Sequence, residues 1–101
     1  MDILFSSRAG IALFGGGAFC RADWPLGKIT LDREALTLDA LFKSYRLSLA
    51  DIDSIRPGLL SVEIPHHAHG VPESVQIWGF FLFRRLRKTI HHHQLKVEVT
   101  V

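Results

Sequence analysis

Between Trp24 and Ile90, short segments of alternating apolar and polar residues follow one another through tight turns and give way to one stretch of helical period. Alternation with period two buries one face of a strand, whereas apolar residues spaced three and four apart bury one stripe of a helix. That order predicts a small, curved, mainly β sheet closed by one C-terminal helix. Gly27 to Asp32 places Ile29 and Leu31 on one face and Lys28, Thr30 and Asp32 on the other. Asp32-Arg33-Glu34 supplies a polar turn, Leu36-Thr37-Leu38 resumes the alternation, and Lys43-Ser44 separates it from Tyr45 to Leu49, so these strands arrive as a meander. Ala18 to Trp24 is an earlier strand, ended by Pro25 because proline has no N–H for a central ladder, with Trp24 as a core plug near its end.

Farther along, Ala50 to Asp53 reads as a turn in which Asp51 bonds the following amides. Ile55 and Leu59-Leu60 enter the next strand around Pro57-Gly58, a pair that predicts a bulge or an edge. Ser61 to Ile64 and Ser74 to Trp78 are two more strands, joined by the long polar connection from Pro65 to Glu73. From about Gly79 the period becomes helical, with Leu82, Phe83, Leu86 and Ile90 on an arc of about 100° and Arg84, Arg85, Arg87 and Lys88 projecting elsewhere. Leu95, Val97, Val99 and Val101 then alternate with Lys96, Glu98 and Thr100, which predicts a seven-residue strand after the helix. Residues 1–16 are apolar without a clear period and contain Gly10 and Gly15-Gly16, so they are set apart as an N-terminal extension. The domain proper is expected over residues 17–93, with a tail at 94–101.

A chain of 101 residues is one domain's length and buries roughly two-thirds of its unfolded surface without help from metal or disulfides. Hydrophobic residues at 48% and charged residues at 22% argue against disorder. A net charge of +2 is no field for nucleic acid, and the one strongly basic feature is the helix. Cys20 is alone and forms no intrachain disulfide. Asp2 and Arg8 do not fit an export leader, and the apolar run from Ile77 to Phe83 is far short of the roughly 20 residues of a membrane span. A cytoplasmic location is therefore expected.

Several of these residues resemble the small bacterial pleckstrin-homology-like domains, including GRAM-like ones, over about residues 17–90. The resemblance rests on Trp24-Pro25-Leu26 before the Lys28 to Leu31 strand, on Leu36-Thr37-Leu38, and on Leu49-Ala50-Asp51-Ile52-Asp53-Ser54-Ile55. Val62-Glu63-Ile64-Pro65-His66 and Pro72-Glu73-Ser74-Val75-Gln76-Ile77-Trp78 are similar to a further pair of strands in that family. What the resemblance implies is a strongly bent β-sandwich or partial barrel of about seven strands capped by the C-terminal helix, with no enzyme activity; no cofactor is expected. Its members bind proteins, peptides or lipid head groups, and many bacterial ones self-assemble. Relatives that hold phosphoinositides carry several basic residues in the first hairpin loop, where Pro25-Leu26-Gly27-Lys28 offers one, and the apolar strand after the helix departs from the usual pattern.

No catalytic set emerges from the residues themselves. His66, His67 and His69 in one loop and His91, His92 and His93 after the helix would hold zinc only if three or four of them converged; solvated histidines that satisfy the helix C-terminal carbonyls and keep the loop polar are the simpler explanation. The triple glycine at 15–17 is followed by Ala18-Phe19 in place of the Lys-Ser/Thr of a phosphate loop. Cys20 reads as a small buried thiol, and Asp51 with Asp53 as turn caps. Two candidate surfaces remain. Phe81 with Arg84, Arg85, Arg87 and Lys88 would meet a partner protein or an anionic lipid surface. Leu95, Val97 and Val99 would pair with an open sheet edge on the same or a neighbouring subunit, the latter making a homo-oligomer. The expected function is a non-enzymatic protein-interaction or self-assembly module; the alternative is peripheral binding of anionic lipid.

Overall fold

A computed structural model describes residues 3–41, 43–58 and 61–100. Seven antiparallel strands form one sheet that curls into a half-barrel: β1 (Phe5–Gly15), β2 (Ala18–Leu31), β3 (Ala35–Ala40), β4 (Lys43–Ser48), β5 (Arg56–Pro57), β6 (Val62–Glu63) and β7 (Ser74–Trp78). Their order across the sheet is β4-β3-β2-β1-β7-β6-β5, and the helix α1 (Leu82–His92) follows β7. The fold is thus the curved, mainly β sheet with one C-terminal helix that the alternating pattern predicts, curled as far as a half-barrel.

The alternation translates directly into burial in the meander. Ile29, Leu31, Leu36, Leu38 and Leu47 are all buried, while Lys28, Lys43 and Arg46 face outward. Leu82, Leu86 and Ile90 close the same core from α1, with Phe83 half-buried beside them. Asp32 departs from the expected outward face. It is buried at the end of β2, where its Oδ1 accepts the Glu34 amide at 2.7 Å and the Ala35 amide at 2.9 Å, so the carboxylate closes the β2–β3 turn.

Residues set apart as an N-terminal extension carry β1, the central strand of the sheet. Ala9 to Leu13 are buried without interruption, because both faces of this strand are covered. A strand covered on both faces is a continuous apolar run, which has no alternation to read. Gly10 is required there, since a Cβ at that position would overlap the indole of Trp78 lying across β1.

Pro25 does not end a strand. β2 runs through it, because Ile11 pairs with Ala22 and Ala9 with Gly27, which leaves Asp23, Trp24, Pro25 and Leu26 opposite Gly10 alone. These residues bulge out of the ladder, and a bulge is a place where a missing N–H costs nothing. Trp24 is accordingly no core plug: it is 44% exposed.

The segment around Pro57 is short, as the Pro-Gly pair requires, and β5 forms the edge next to β6. Leu59, Leu60 and Val101 lie outside the described residues. The predicted strand after the helix is reduced to a single parallel bridge between Ile55 and Val99. Ile55 donates its amide to Glu98 at 2.8 Å and accepts from Thr100 at 2.9 Å, so the tail docks on its own chain immediately before β5.

Candidate interaction surface

The bulge in β2 and the turn from β7 into α1 meet at one corner of the sheet. Trp24 and Phe80 touch edge to face, with ring centroids 5.2 Å apart. Trp78 connects them to the sheet, and the Arg21 guanidinium lies over its ring at 5.2 Å while pairing with Asp23 at 2.8 Å. Phe80 and Phe81 are 70% and 75% exposed, and Leu26 on the same bulge is 55% exposed. The helix begins later than its period suggests, at Leu82, so neither phenylalanine ends the last strand or packs beneath the helix.

Phe81 occupies the N-cap position of α1 with φ 56° and ψ 29°, the left-handed region, and makes no side-chain cap. A bulky L-residue there costs about 1–2 kcal/mol relative to right-handed backbone. A side chain three-quarters exposed recovers little of that by burial. Asn, Ser or Gly is the ordinary choice for this position. The chain keeps instead a ring that projects from the surface.

The basic residues expected to form a surface are spread along α1, and Arg84 is the one that lines the corner. Arg84 is exposed and shares a groove of about 370 Å³ with Phe81, Pro57, Gly58 and Ser61. Arg85 lies 5.0 Å from the centre of the Phe5 ring and donates to Ser7 Oγ at 3.2 Å, which ties it to β1. Arg87 is half-buried and Lys88 exposed. Among the described residues, none of the four is ion-paired with a carboxylate. The structure therefore joins Phe81 and Arg84 to Trp24, Trp78 and Phe80. Phe81 was legible as an aromatic beside the basic quartet; Trp24 was hidden by its assignment to the core, although a proline one residue on is the signal for a bulge.

Leu95, Val97 and Val99 lie elsewhere, half-buried against the chain's own core. Val99 bridges to Ile55 of the same chain, so the tail meets a strand edge within its own subunit. Cys20, expected to be buried, is half-buried in β2.

Two of the loop histidines, His66 and His67, have partners of their own. The Ala68 amide donates to His66 Nδ1 at 3.0 Å, and the opposite nitrogen, Nε2, lies 2.9 Å from the Pro72 carbonyl, to which it donates. His67 stands between two carboxylates, Nδ1 being 2.9 Å from Asp53 and Nε2 3.5 Å from Asp51. These aspartates bracket a histidine and do not form a facing acid pair. Among the described residues, no group of three or more His, Cys, Asp or Glu side chains is placed to hold a metal ion, and no helix is long and apolar enough to cross a membrane.

No family model and no curated protein matches the chain significantly. Its fold is similar to the crystal structure of the C-terminal domain of an unknown protein from Leishmania infantum, with a TM-score of 0.59 at 14% identity over 94% of this chain and 85% of that one. At that identity the likeness concerns architecture alone.

Proposed function

We propose that this chain is a non-enzymatic interaction module with a pleckstrin-homology-like fold, which meets another protein surface through the corner formed by Trp24, Phe80 and Phe81. The reading is carried by Phe81, a large ring held in left-handed backbone and three-quarters exposed, an arrangement that recovers little within the chain. Clustered exposed aromatics beside arginine are the composition of contact surfaces. A photo-crosslinking phenylalanine analogue at position 80, irradiated in cells that make the protein, should give a discrete protein adduct, whereas the same group at exposed Ile3 should not. A smear from both positions, or lipid adducts alone, would refute protein contact through the corner.

The cations of α1 favour a second reading, peripheral attachment to anionic lipid, because Arg84 and Lys88 are exposed beside apolar side chains suited to the head-group boundary. Flotation with vesicles containing phosphatidylserine should then fall steeply with salt. Neutralising Arg84, Arg85, Arg87 and Lys88 together should abolish it, and persistence of binding would remove this reading.

A further inference from the structure

The β1–β7 ladder has two unlike ends. At one end Gly10 pairs with Trp78, beside the aromatic corner and Arg84 in the first turn of α1. At the other Phe14 pairs with Ser74 and, across β2, with Phe19. Trp78 and Ser74 are four residues apart, about 13 Å at the strand rise of ~3.3 Å per residue.

This second end is also apolar, but its charge is opposite. Phe19 is 70% exposed and Phe14 40%. Phe14 lines a groove of about 470 Å³ with Pro65, Val75, Glu63 and Glu73. Asp53 adjoins it, donating its amide to the Pro65 carbonyl at 2.8 Å. Among the described residues, Glu63 and Glu73 make no ion pair, as Arg84 and Lys88 make none at the far end.

The geometry points to head-to-tail self-association, in which the aromatic–basic corner of one copy docks on the aromatic–acidic groove at the β1–β2 end of a second copy. The inference rests on the interaction-module reading and names its partner. A lipid surface would satisfy only the basic end and leave Phe14, Phe19 and the two glutamates in water. A second copy covers both ends with one kind of contact, joining aromatic to aromatic and carboxylate to guanidinium or ammonium. Because the two surfaces differ, the contact is heterologous: repeated, it makes an open chain, or a ring if the rotation closes.

Light scattering on the full chain tests this. Mass should rise with concentration beyond two chains at low salt, and fall to one chain near 0.5 M salt, where the Debye length is about 4 Å. Arg84→Glu with Lys88→Glu should give one variant that stays monomeric, and Glu63→Lys with Glu73→Lys another. Mixed in equal amounts they should form complexes of two or more chains, because each supplies the end that the other has lost. Circular dichroism confirms that each is folded; should either not fold, Phe19→Ser takes its place and should likewise lower the average mass. A wild type that remains monomeric at low salt overturns the proposal, as does a mixture that stays monomeric or an acidic-end variant that associates normally. A crosslink from position 80 to a different protein, with the wild type monomeric, overturns self-association while leaving the interaction-module reading in place.

Discussion

In the β2–β3–β4 meander, Ile29, Leu31, Leu36, Leu38 and Leu47 are at most 1% exposed; at the corner, Trp24, Leu26, Phe80 and Phe81 are between 44% and 75% exposed. Both regions spend large apolar side chains, and only the first recovers them as burial. From Ile29 onward in the meander, Ile29, Leu31, Leu36, Leu38 and Leu47 sit where the pleat turns them inward, so the pattern there is a packing code. At the corner the apolar residues sit in a bulge, a turn and a strained cap, where neither period applies. Apolar surface held out of the core at such places is what the proposed contact beyond the chain would use.

The largest expected effect comes from cutting the meander. Leu38→Ala should destabilise by about 2–5 kcal/mol, because the core around a fully buried leucine closes only partly over the space it leaves. Phe80→Ala should cost no more than about 1.5 kcal/mol, the scale of its edge-to-face contact with Trp24. Urea unfolding of the two variants measures both values. Equal losses would break the distinction, since Phe80 would then be part of the core.

Asp32 is the meander's polar counterpart to the exposed rings, a carboxylate the fold buries. Asp32→Ala should cost about 1–3 kcal/mol, because the Glu34 and Ala35 amides lose a charged acceptor. The Glu34 amide first, then the Ala35 amide and Arg46, hold the carboxyl below its ordinary value of 3.8 against the opposing effect of burial. A depressed carboxyl binds its proton less readily folded than unfolded. Its contribution is therefore complete above pH 3.8 and disappears as pH falls through the lower folded value. Urea midpoints at neutral pH and near pH 3 should show a smaller acid loss in Asp32→Asn than in the wild type. An unchanged acid loss would mean that other carboxyls dominate.

The same distinction explains what was legible beforehand. Ile29, Leu36 and Leu86 could be assigned from period alone, since each lies on an element with one wet face. β1 could not, because Ile11 and Leu13 belong to a strand buried on both sides and Gly10 interrupts it for the sake of Trp78, a residue 68 positions away. Trp24 was misplaced for a related reason: Ala18 to Asp23 continue past Pro25 through a bulge whose existence depends on the partner strand. The tail's valines did alternate, but alternation does not say whose edge they meet, and the Ile55 backbone takes them up within the chain. Phe81 and the basic residues were visible as a cluster, whereas the left-handed cap that exposes the ring is a property of backbone.

That cap offers the smallest change in stability and the sharpest separation of stability from contact. Phe81→Gly places the residue that tolerates φ 56° at the N-cap of α1. Relief of left-handed strain and the greater freedom of glycine in the unfolded chain oppose each other, each on the order of 1 kcal/mol, so the net change should be under about 1 kcal/mol. Contact through the corner should nonetheless weaken, because the exposed ring is gone. A thermal midpoint within a few degrees of wild type together with lost association, read by light scattering or by the position-80 crosslink, would identify Phe81 as a residue kept for its partner. A loss of several kcal/mol would place Phe81 with Leu38 instead, as part of what holds α1 against the sheet.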